Sequence, residues 1–408
     1  MELIKRDLYL RQIEPFMDKP IVKVISGIRR CGKSVILKLL CKELQSRGVE
    51  EGRIVYLNFE SFELREITGS NELYNYVKER LPANGGKVYI LLDEVQEVKD
   101  WEQAVNSFVV DWGSDVYVTG SNSKMLSSEL ATYLTGRYVS FHIQPLSYGE
   151  YLQFRSLAPE DGGSTEKAFR HYLRLGGFPS VHLAHFEEED AYRMVRDIYA
   201  SIILRDTIQR YGIRNVDLFE RVVGFVFDNI GNRLNAKNVA DYFKSQHRRL
   251  DVNTVYDYLN NLQSTFIIQR VPRYDIAGKE ILKTNEKYFV SDLSLIFSLM
   301  GYRERMIGGA LENIVYWELR SRGFDVYIGK QGSMEVDFVA VRGQDRLYVQ
   351  VTYKMPSEDT VQREYTPLEC ISDNYPKYVL SMEQHWDSNR NGILHRFIPD
   401  FLLDKSWG

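Results

Sequence analysis

The segment GIRRCGKS, residues 27–34, has the residue types and the spacing that are needed to hold a polyphosphate. It fits the pattern G-x-x-x-x-G-K-[ST] without a mismatch, between the apolar run IVKVIS and the helical pattern SVILKLLCKEL. A Cβ on Gly27 or Gly32 would obstruct backbone amides that point at phosphate oxygens, and the helix N-terminus adds partial positive charge. We therefore predict that Lys33 contacts the β- and γ-phosphates and that the Ser34 hydroxyl ligates Mg²⁺. A Gly-rich turn without a ligand is the alternative.

Two consecutive carboxylates, Asp93 and Glu94, end the apolar run KVYILLDEV. Ligands of open α/β sheets bind at the carboxyl ends of the strands, so this pair would lie near the loop. Asp93 would complete the Mg²⁺ shell, and Glu94, which points the other way, would polarise a water for in-line attack on the γ-phosphate. A solvated turn is the alternative interpretation of such a pair. The nearby phosphate-loop pattern favours the metal site.

Two less specific candidates follow along the chain. The run DVYVTGSNS ends in Thr119, Ser121 and Asn122, which would place a hydroxyl or an amide near the γ-phosphate if this strand lies beside the one that ends at Asp93. An ordinary strand-to-loop transition has the same composition. Arg137, at the start of RYVSFHI, would stabilise transition-state charge in its own or a neighbouring subunit, or else form a surface ion pair.

The elements that must position these residues follow from hydrophobic periodicity. Up to about residue 145, helical patterns alternate with short apolar runs, which is typical of a parallel sheet covered by helices. The two helical patterns are SVILKLLCKELQSRG and SNELYNYVKERL. The apolar runs predict five strands: IVKVIS, RIVYLNF, KVYILLDEV, DVYVTGS and RYVSFHI.

The middle of the chain is predicted to be helical. Over residues 215–298, the helical patterns DLFERVVGFVFDNI, NAKNVADYFKS and VNTVYDYLNNLQSTF precede the β-like runs IIQRVPRYD and KYFVSD. This order is typical of a winged helix-turn-helix, and a helical lid with a trailing strand pair is the alternative. The third helical pattern lacks Lys and Arg, whereas residues 246–249, Arg270 and Arg273 could contact a DNA backbone. Both DNA and a protein remain open as partners.

Together, GIRRCGKS, ILLDEVQEV, VTGSNSKML, LTGRYVSF, PLSYGEYL and GGFPSV resemble a family of bacterial and archaeal AAA-type ATPases with a winged-helix segment and a C-terminal domain of unknown function with a nuclease-like core. KYFVSD and LENIVYWEL resemble the later motifs of that family. The resemblance implies an AAA-type P-loop core over residues 1–145, a helical lid over 146–214, a winged-helix segment over 215–298 and a nuclease-like α/β domain over 299–408.

The same resemblance implies ATP on the loop, Mg²⁺ near Ser34 and Asp93, a catalytic Glu94 assisted by Lys33, and an arginine finger at Arg137. The residues implied to bind the nucleotide are Gly27, Ile28, Arg29, Arg30, Cys31, Gly32, Lys33, Ser34, Val35 and the sensor positions Ser121 and Asn122.

The C-terminal segment resembles a PD-(D/E)xK nuclease core with an incomplete site. Such enzymes hold Mg²⁺ with strand carboxylates and orient the attacking water with a lysine. Glu312 and Asp337 fit this order, but Gln350 and Thr352 stand where Glu-x-Lys is expected. Lys354 follows on the same face of the strand, two residues further along. We therefore expect a scaffold or recognition domain, with a nuclease as the alternative.

Composition and charge exclude several classes of protein. The chain has 408 residues, 44% hydrophobic and 26% charged, which indicates two or three globular domains. A formal net charge of −4 argues against a chain dominated by nucleic-acid binding. The cysteines, Cys31, Cys41 and Cys370, fit neither a disulfide framework nor a zinc spacing, and no apolar run resembles a signal peptide or a membrane span. A cytoplasmic protein is predicted.

The leading hypothesis is Mg²⁺-dependent ATP hydrolysis that drives a rearrangement of the later domains on an unknown partner. One alternative is an ATP-gated or DNA-associated binding module with negligible hydrolysis, and Glu94 is the feature that distinguishes the two. A second alternative is an ATP-regulated nuclease. Whether the chain forms a homo-oligomer stays open.

Overall fold

The computed structural model describes residues 3–123, 134, 136–156, 162–384 and 389–407. The chain forms two compact units. The first comprises Met1–Pro145 with Ser264–Phe266, and the second comprises Leu146–Gln263 with Ile267–Gly408. Among the helices described, none is long and apolar enough to cross a membrane.

A five-stranded parallel sheet forms the centre of the first unit within the described residues, in the order β2-β3-β4-β1-β5. The predicted parallel α/β layer is therefore confirmed. Its strands are β1 (Val22–Ser26), β2 (Ile54–Asn58), β3 (Tyr89–Asp93), β4 (Asp115–Gly120) and β5 (Tyr138–His142). Its helices are α1 (Asp7–Ile13), α2 (Lys33–Ser46), α3 (Ser70–Lys78) and α4 (Trp101–Trp112), with short 3-10 turns at Glu14–Phe16, Glu51–Arg53, Phe62–Leu64 and Val95–Glu97.

Burial explains why the strands β1, β3 and β4 are nearly continuous apolar runs. Every residue of these three strands is buried, as expected where helices cover both faces of a parallel sheet. Because all five strands run in the same direction, their carboxyl ends lie at one edge. The loop after β1 and the acidic pair after β3 therefore lie at the same edge of the sheet.

The second unit contains a mixed sheet of nine strands within the described residues, in the order β13-β14-β12-β11-β10-β9-β7-β8-β6. These strands are β6 (Arg233–Leu234), β7 (Ile268–Asp275), β8 (Glu280–Val290), β9 (Asp325–Gln331), β10 (Met334–Arg342), β11 (Asp345–Val351), β12 (Lys377–Ser381), β13 (Asn389–Arg390) and β14 (Ile393–Phe397).

The helices of the second unit are α5 (Tyr148–Phe154), α6 (Gly162–Leu175), α7 (Pro179–Leu183), α8 (Glu188–Ser201), α9 (Val216–Asp228), α10 (Ala236–Ser245), α11 (Val252–Ser264), α12 (Leu293–Met300), α13 (Ile307–Ser321), α14 (Glu358–Glu369) and α15 (Ile398–Leu403). A π-helix, Ile202–Gln209, continues α8, and a 3-10 turn covers Glu304–Met306.

The ribbon of the middle segment is part of the C-terminal sheet. Helices α9, α10 and α11 precede the antiparallel strands β7 and β8, and the short β6 pairs with β8. Strand β7 also pairs in parallel with β9, so one sheet continues past residue 298. The division of residues 146–408 into lid, winged-helix and nuclease-like parts stays a prediction.

Candidate nucleotide site

The loop between β1 and α2 has a backbone that only glycine accommodates at its first position. Gly27 has φ +151°, and a Cβ on it would lie 2.1 Å from the carbonyl oxygen of Ile143. Gly32 caps α2 with φ +106°, a conformation that L side chains rarely adopt. The amides at the start of α2 follow directly, with no side-chain cap at Gly32. The loop therefore has the glycine positions and the helix N-terminus that phosphate binding requires.

Lys33 joins this loop to the acidic end of β3. Its buried Nζ donates to the carbonyl oxygens of Gly27, at 3.2 Å, and Ile28, at 3.4 Å. The same Nζ lies 3.3 Å from Oε1 of Glu94. Burial lowers the pKa of the Lys33 ammonium, but the Glu94 carboxylate outweighs that effect, so this pKa lies above its ordinary value. Lys33 is therefore charged and fixed at the loop.

Glu94 is buried and ionised. Its backbone is left-handed, with φ +53°, and its amide donates to the Thr119 hydroxyl at 2.9 Å. Gln96 donates to Oε2 at 2.6 Å. Burial raises the pKa of the Glu94 carboxyl, but the charge of Lys33 and the hydrogen bond from Gln96 outweigh it and hold this pKa below its ordinary value. An ionised carboxylate is the form that can accept a proton from water.

Asp93 is fully buried and held from two neighbouring strands. The Thr119 hydroxyl of β4 donates to Oδ1 at 2.6 Å, and the Tyr56 hydroxyl of β2 donates to Oδ2 at 3.0 Å. The sequence did not predict that these two hydroxyls orient Asp93. It indicated Thr119 only as a sensor candidate. Tyr56 lies in the strand that pairs with β3, where Asn58 is opposite Asp93, and no sequence signal indicates that pairing.

The sensor candidates follow a strand that is adjacent to the acidic strand β3. Strand β4 lies between β1 and β3, and Ser121 and Asn122 follow it as buried residues. The Ser121 hydroxyl makes no hydrogen bond within the part of the chain that the structure describes. Ser34 and Val35 are half-buried in the first turn of α2. The proposed roles of these four residues stay predictions.

The other loop residues differ in exposure. Ile28 and Cys31 are buried, whereas Arg30 is exposed with φ +68°. Arg29 is half-buried and forms an ion pair with Glu60 at 2.7 Å. The Arg29 charge also contributes to lowering the pKa of Glu94, so this side chain lies near the acidic end of β3.

Arg137 lies at the opposite edge of the sheet from the loop. It precedes β5, and its carbonyl accepts a hydrogen bond from the amide of Val22, the first residue of β1, at 2.8 Å. Its side chain is exposed. Because the loop follows the other end of β1, Arg137 does not lie beside the loop of its own chain. An arginine finger of a neighbouring subunit and a surface ion pair both stay predictions for this residue.

Within the residues that the structure describes, the C-terminal candidates contact one another and nearby side chains. Strand β11 ends at Val351, and Lys354 is exposed, with its ammonium 5.3 Å from the centre of the Tyr353 ring. Gln350 Nε2 donates to Glu364 at 3.0 Å, and its Oε1 accepts from the amide of Asp337 at 3.2 Å. Across the described ranges, no group of three or more His, Cys, Asp or Glu side chains is arranged to hold a metal ion.

A parallel sheet in the order β2-β3-β4-β1-β5, with this loop after β1 and an acidic pair after β3, defines an AAA-type P-loop fold. Residues 19–152 match the family model described as AAA domain. Over 401 residues the chain is 37% identical to an uncharacterized protein of Haemophilus influenzae, which covers 98% of this chain and 99% of that one. The chain belongs to the same family as that protein.

One further relative and two solved structures are also similar to this chain. An uncharacterized protein of Methanocaldococcus jannaschii is 29% identical over 374 residues, covering 89% of this chain and 80% of that one. The Walker-type ATPase of Pyrococcus abyssi is similar in structure with a TM-score of 0.49, 13% identity and coverage of 73% of this chain and 96% of that one. The Orc1 protein of Aeropyrum pernix, solved in complex with DNA, has a TM-score of 0.36, 13% identity and coverage of 73% and 93%.

A second family model, described as a domain of unknown function, matches residues 166–305. This match lies in the middle of the chain and not in its C-terminal part, where the resemblance placed such a domain. Neither family match reaches residues 306–408. The nuclease-like core is therefore not supported by these matches and stays a prediction.

Proposed function

We propose that this protein is a Mg²⁺-dependent ATP hydrolase of the AAA type. The observation that carries the proposal is the contact of 3.3 Å between Lys33 Nζ and Glu94 Oε1, because it brings the phosphate loop and the acidic strand end into one site. A lysine, a hydroxyl and two carboxylates at that edge are the groups that phosphoryl transfer to water uses.

The donor set fits a magnesium ion. Ser34 offers a hydroxyl oxygen and Asp93 a carboxylate oxygen, and Mg²⁺ prefers hard oxygen ligands. The hydrogen bonds from Thr119 and Tyr56 fix the orientation of the Asp93 carboxylate, which favours metal binding because a ligand held in place needs no reordering. When bound, the ion would neutralise charge on the β- and γ-phosphates.

The chain's own residues would do the remaining work. The backbone amides of residues 28–34 would bind the phosphates, and Lys33 would exchange its loop carbonyls for phosphate oxygens. Glu94 would orient a water and accept its proton. Ser121 or Asn122 would contact the γ-phosphate, and Arg137 would act from a neighbouring subunit in a homo-oligomer.

A protein is a better candidate than DNA for the partner on which nucleotide-driven rearrangement acts. Arg248 forms an ion pair with Asp217 at 2.9 Å, and Arg270 lies 3.8 Å from Glu286. Arg273 is buried. Arg273 is therefore inaccessible to a phosphate, and a phosphate would have to replace exposed ion pairs at Arg248 and Arg270, which weakens a DNA-binding role for the winged-helix segment.

A phosphate-release assay on the purified full chain with ATP and Mg²⁺ tests the proposal. We expect Lys33→Ala to abolish release and to weaken ATP binding, because the charge at the loop is lost. Lys38→Ala is the matched control, since Lys38 is exposed on the same helix α2. Release that survives in Lys33→Ala at the level of the control would remove this site assignment. Binding without release in the unchanged chain would instead favour a nucleotide-gated switch.

A further inference from the structure

Arg6, just ahead of helix α1, is buried against the phosphate loop. Its side chain is among the largest fully buried side chains in the described residues, with 1% of its surface exposed. Nη1 donates to the carbonyl oxygen of Cys31 at 2.9 Å, and Nη2 donates to the carbonyl oxygens of Gln144 at 3.0 Å and Pro145 at 3.4 Å. One guanidinium thus contacts both the loop and the segment that follows β5.

Helix α1 holds this guanidinium in place. The carbonyl of Arg6 accepts the amides of Tyr9 and Leu10, at 3.2 and 3.3 Å, so its backbone begins the helix. The Arg6 guanidinium lies 4.6 Å from the centre of the Tyr9 ring, and the Tyr9 hydroxyl accepts the amide of Gln144 at 3.1 Å. A planar fork with several donors suits three carbonyl acceptors in a way that a lysine ammonium does not.

The bond to Cys31 fixes the direction of an amide that faces the loop. In a trans peptide the carbonyl of one residue and the amide of the next point in opposite directions. When Arg6 holds the Cys31 carbonyl on its own side, the Gly32 N–H points to the other side. Amides aimed in this way are what a glycine loop offers a phosphate.

The segment 143–145 borders the same loop. The Ile143 amide donates to the carbonyl of Ser26 at 2.7 Å, and the Ile143 carbonyl is the atom that a Cβ on Gly27 would meet. Pro145 is the last residue of the first unit before the chain continues into the second. Arg6 therefore connects the Cys31 carbonyl of the loop to the last residues before the chain leaves this unit.

We propose that Arg6 is a positioning residue of the nucleotide site, which orients the peptide between Cys31 and Gly32 toward a nucleoside triphosphate and ties the loop to residues 144–145. The inference rests on the proposed function of the loop. The inference goes beyond that function because it assigns a role to a residue outside the loop pattern. It also assigns a route by which nucleotide binding affects residues 144–145.

The test compares Arg6→Gln, Arg6→Lys and the matched control Arg53→Gln in the full chain. Arg53 also donates to a backbone carbonyl, that of Gly85, at 2.6 Å, but it lies outside the phosphate loop. The probe is a fluorescent ATP analogue, titrated below the melting temperature of each variant. We expect Arg6→Gln to weaken binding about tenfold or more, Arg6→Lys to weaken it less, and Arg53→Gln to leave it unchanged.

Hydrogen exchange supplies a readout that a merely structural role would not move. In the unchanged chain, the ATP analogue should slow exchange in peptides that cover residues 27–35 and 138–144. In the Arg6 variants the effect on the second peptide should disappear. Should Arg6→Gln fail to fold, Arg6→Lys decides the matter by the same two measurements.

The outcomes separate this inference from the proposed function. If the unchanged chain and Lys33→Ala bind the analogue equally, the loop is not a nucleotide site and both statements fail. If Lys33→Ala loses binding while folded Arg6 variants keep full affinity and the exchange effect at residues 138–144, only the role of Arg6 is overturned.

Discussion

Glu94 shows how the backbone sets the direction of a catalytic candidate. A strand that simply continued past Asp93 would alternate its side chains, but Glu94 has φ +53° and ψ +48°, which ends the strand. A left-handed conformation costs a non-glycine residue about 1 kcal/mol. The Thr119 hydroxyl stabilises it by accepting the Glu94 amide. The carboxylate thereby meets Lys33, which sequence periodicity alone could not predict.

Replacing Glu94 by Gln should separate binding from turnover. The amide keeps the shape of the side chain but cannot take a proton from water, so we expect phosphate release to slow by about 10²-fold or more. ATP should still bind, because the loop and Lys33 remain. The measurement is phosphate release beside titration with a fluorescent ATP analogue. The control is Glu97→Gln, since Glu97 is exposed in the same turn; equal turnover in the two variants would show that the base lies elsewhere.

Site residues that belong to a contiguous sequence pattern were predictable, and those that do not were missed. Lys33 and Ser34 follow from the glycine spacing, and Asp93 and Glu94 from their place after an apolar run. Tyr56 was not predictable, because its contact with Asp93 depends on which strand lies next to β3, and strand order is not written in the periodicity.

At the level of elements, the turn between α6 and α7 depends on a glycine that contacts a buried carboxylate. Gly176 has φ +66°, and a Cβ on it would lie 1.8 Å from Oδ1 of Asp292. The next amide, that of Gly177, donates to Asp292 Oδ2 at 2.6 Å, and the Ser294 amide donates to Oδ1 at 2.9 Å. Asp292 thus caps α12 and holds the turn at once.

Gly176→Ala should therefore destabilise the second unit by more than backbone strain explains. Gly212→Ala is the matched control, because Gly212 has φ +61° but nothing within 4 Å of its Cβ position. We expect about 1 kcal/mol for the strain at Gly212 and at least about 2 kcal/mol more at Gly176, where the carboxylate must move. Thermal unfolding of the full chain measures the difference. Equal melting temperatures of the two variants would mean that the contact with Asp292 adds nothing to the cost of a Cβ at Gly176.

The elements that sequence patterns identified are those with a strong single period. Strands β1, β3 and β4 are apolar throughout because they are buried on both faces. Helix α4 was not predicted, although its buried residues recur at helical spacing, so the signal was present: Trp101, Ala104, Val105 and Phe108. Strand β8 was predicted only over KYFVSD, because Ile281 and Leu282 in its first half are followed by the polar run KTNEK, which gives no continuous apolar run.

At the scale of the whole second unit, one lysine holds the ribbon to the C-terminal part of the shared sheet. Lys287 of β8 lies 2.8 Å from Glu312 on α13, 2.9 Å from Glu335 on β10 and 3.6 Å from Asp337 on β10. Its side chain is 4% exposed. A nuclease-like interpretation of the sequence assigned Glu312 and Asp337 to a metal. In the structure the charge that faces them is this ammonium.

Burial and the Lys287 charge act in opposite directions on these acids. Burial raises the pKa of the Glu312 and Asp337 carboxyl groups, and the Lys287 ammonium only partly offsets it. For Glu335, burial also raises the pKa, but Lys287 and Arg233 outweigh it and this pKa lies below its ordinary value. Sequence reasoning could not find this cluster of Lys287 and the three carboxylates, since its members come from two strands and a helix that are distant along the chain.

Lys287→Met should destabilise the second unit by about 3–5 kcal/mol at neutral pH, because it leaves buried carboxylates without their cation. A carboxyl whose pKa is raised in the folded chain contributes stability that is fully present below its unfolded pKa and is lost as the pH rises through its folded pKa. The deficit of the variant should therefore shrink as the pH falls toward about 4 and grow toward neutrality. Melting temperatures of the variant and the unchanged chain across this pH range measure the deficit in stability.

Arg305→Met is the control, since the Arg305 side chain is 61% exposed in its ion pair with Asp228 and should contribute at most about 1 kcal/mol. A Lys287→Met deficit that is as small as the control's, or independent of pH, would show that the ribbon is held by backbone pairing and apolar packing and that Lys287 is not the cation on which these carboxylates depend.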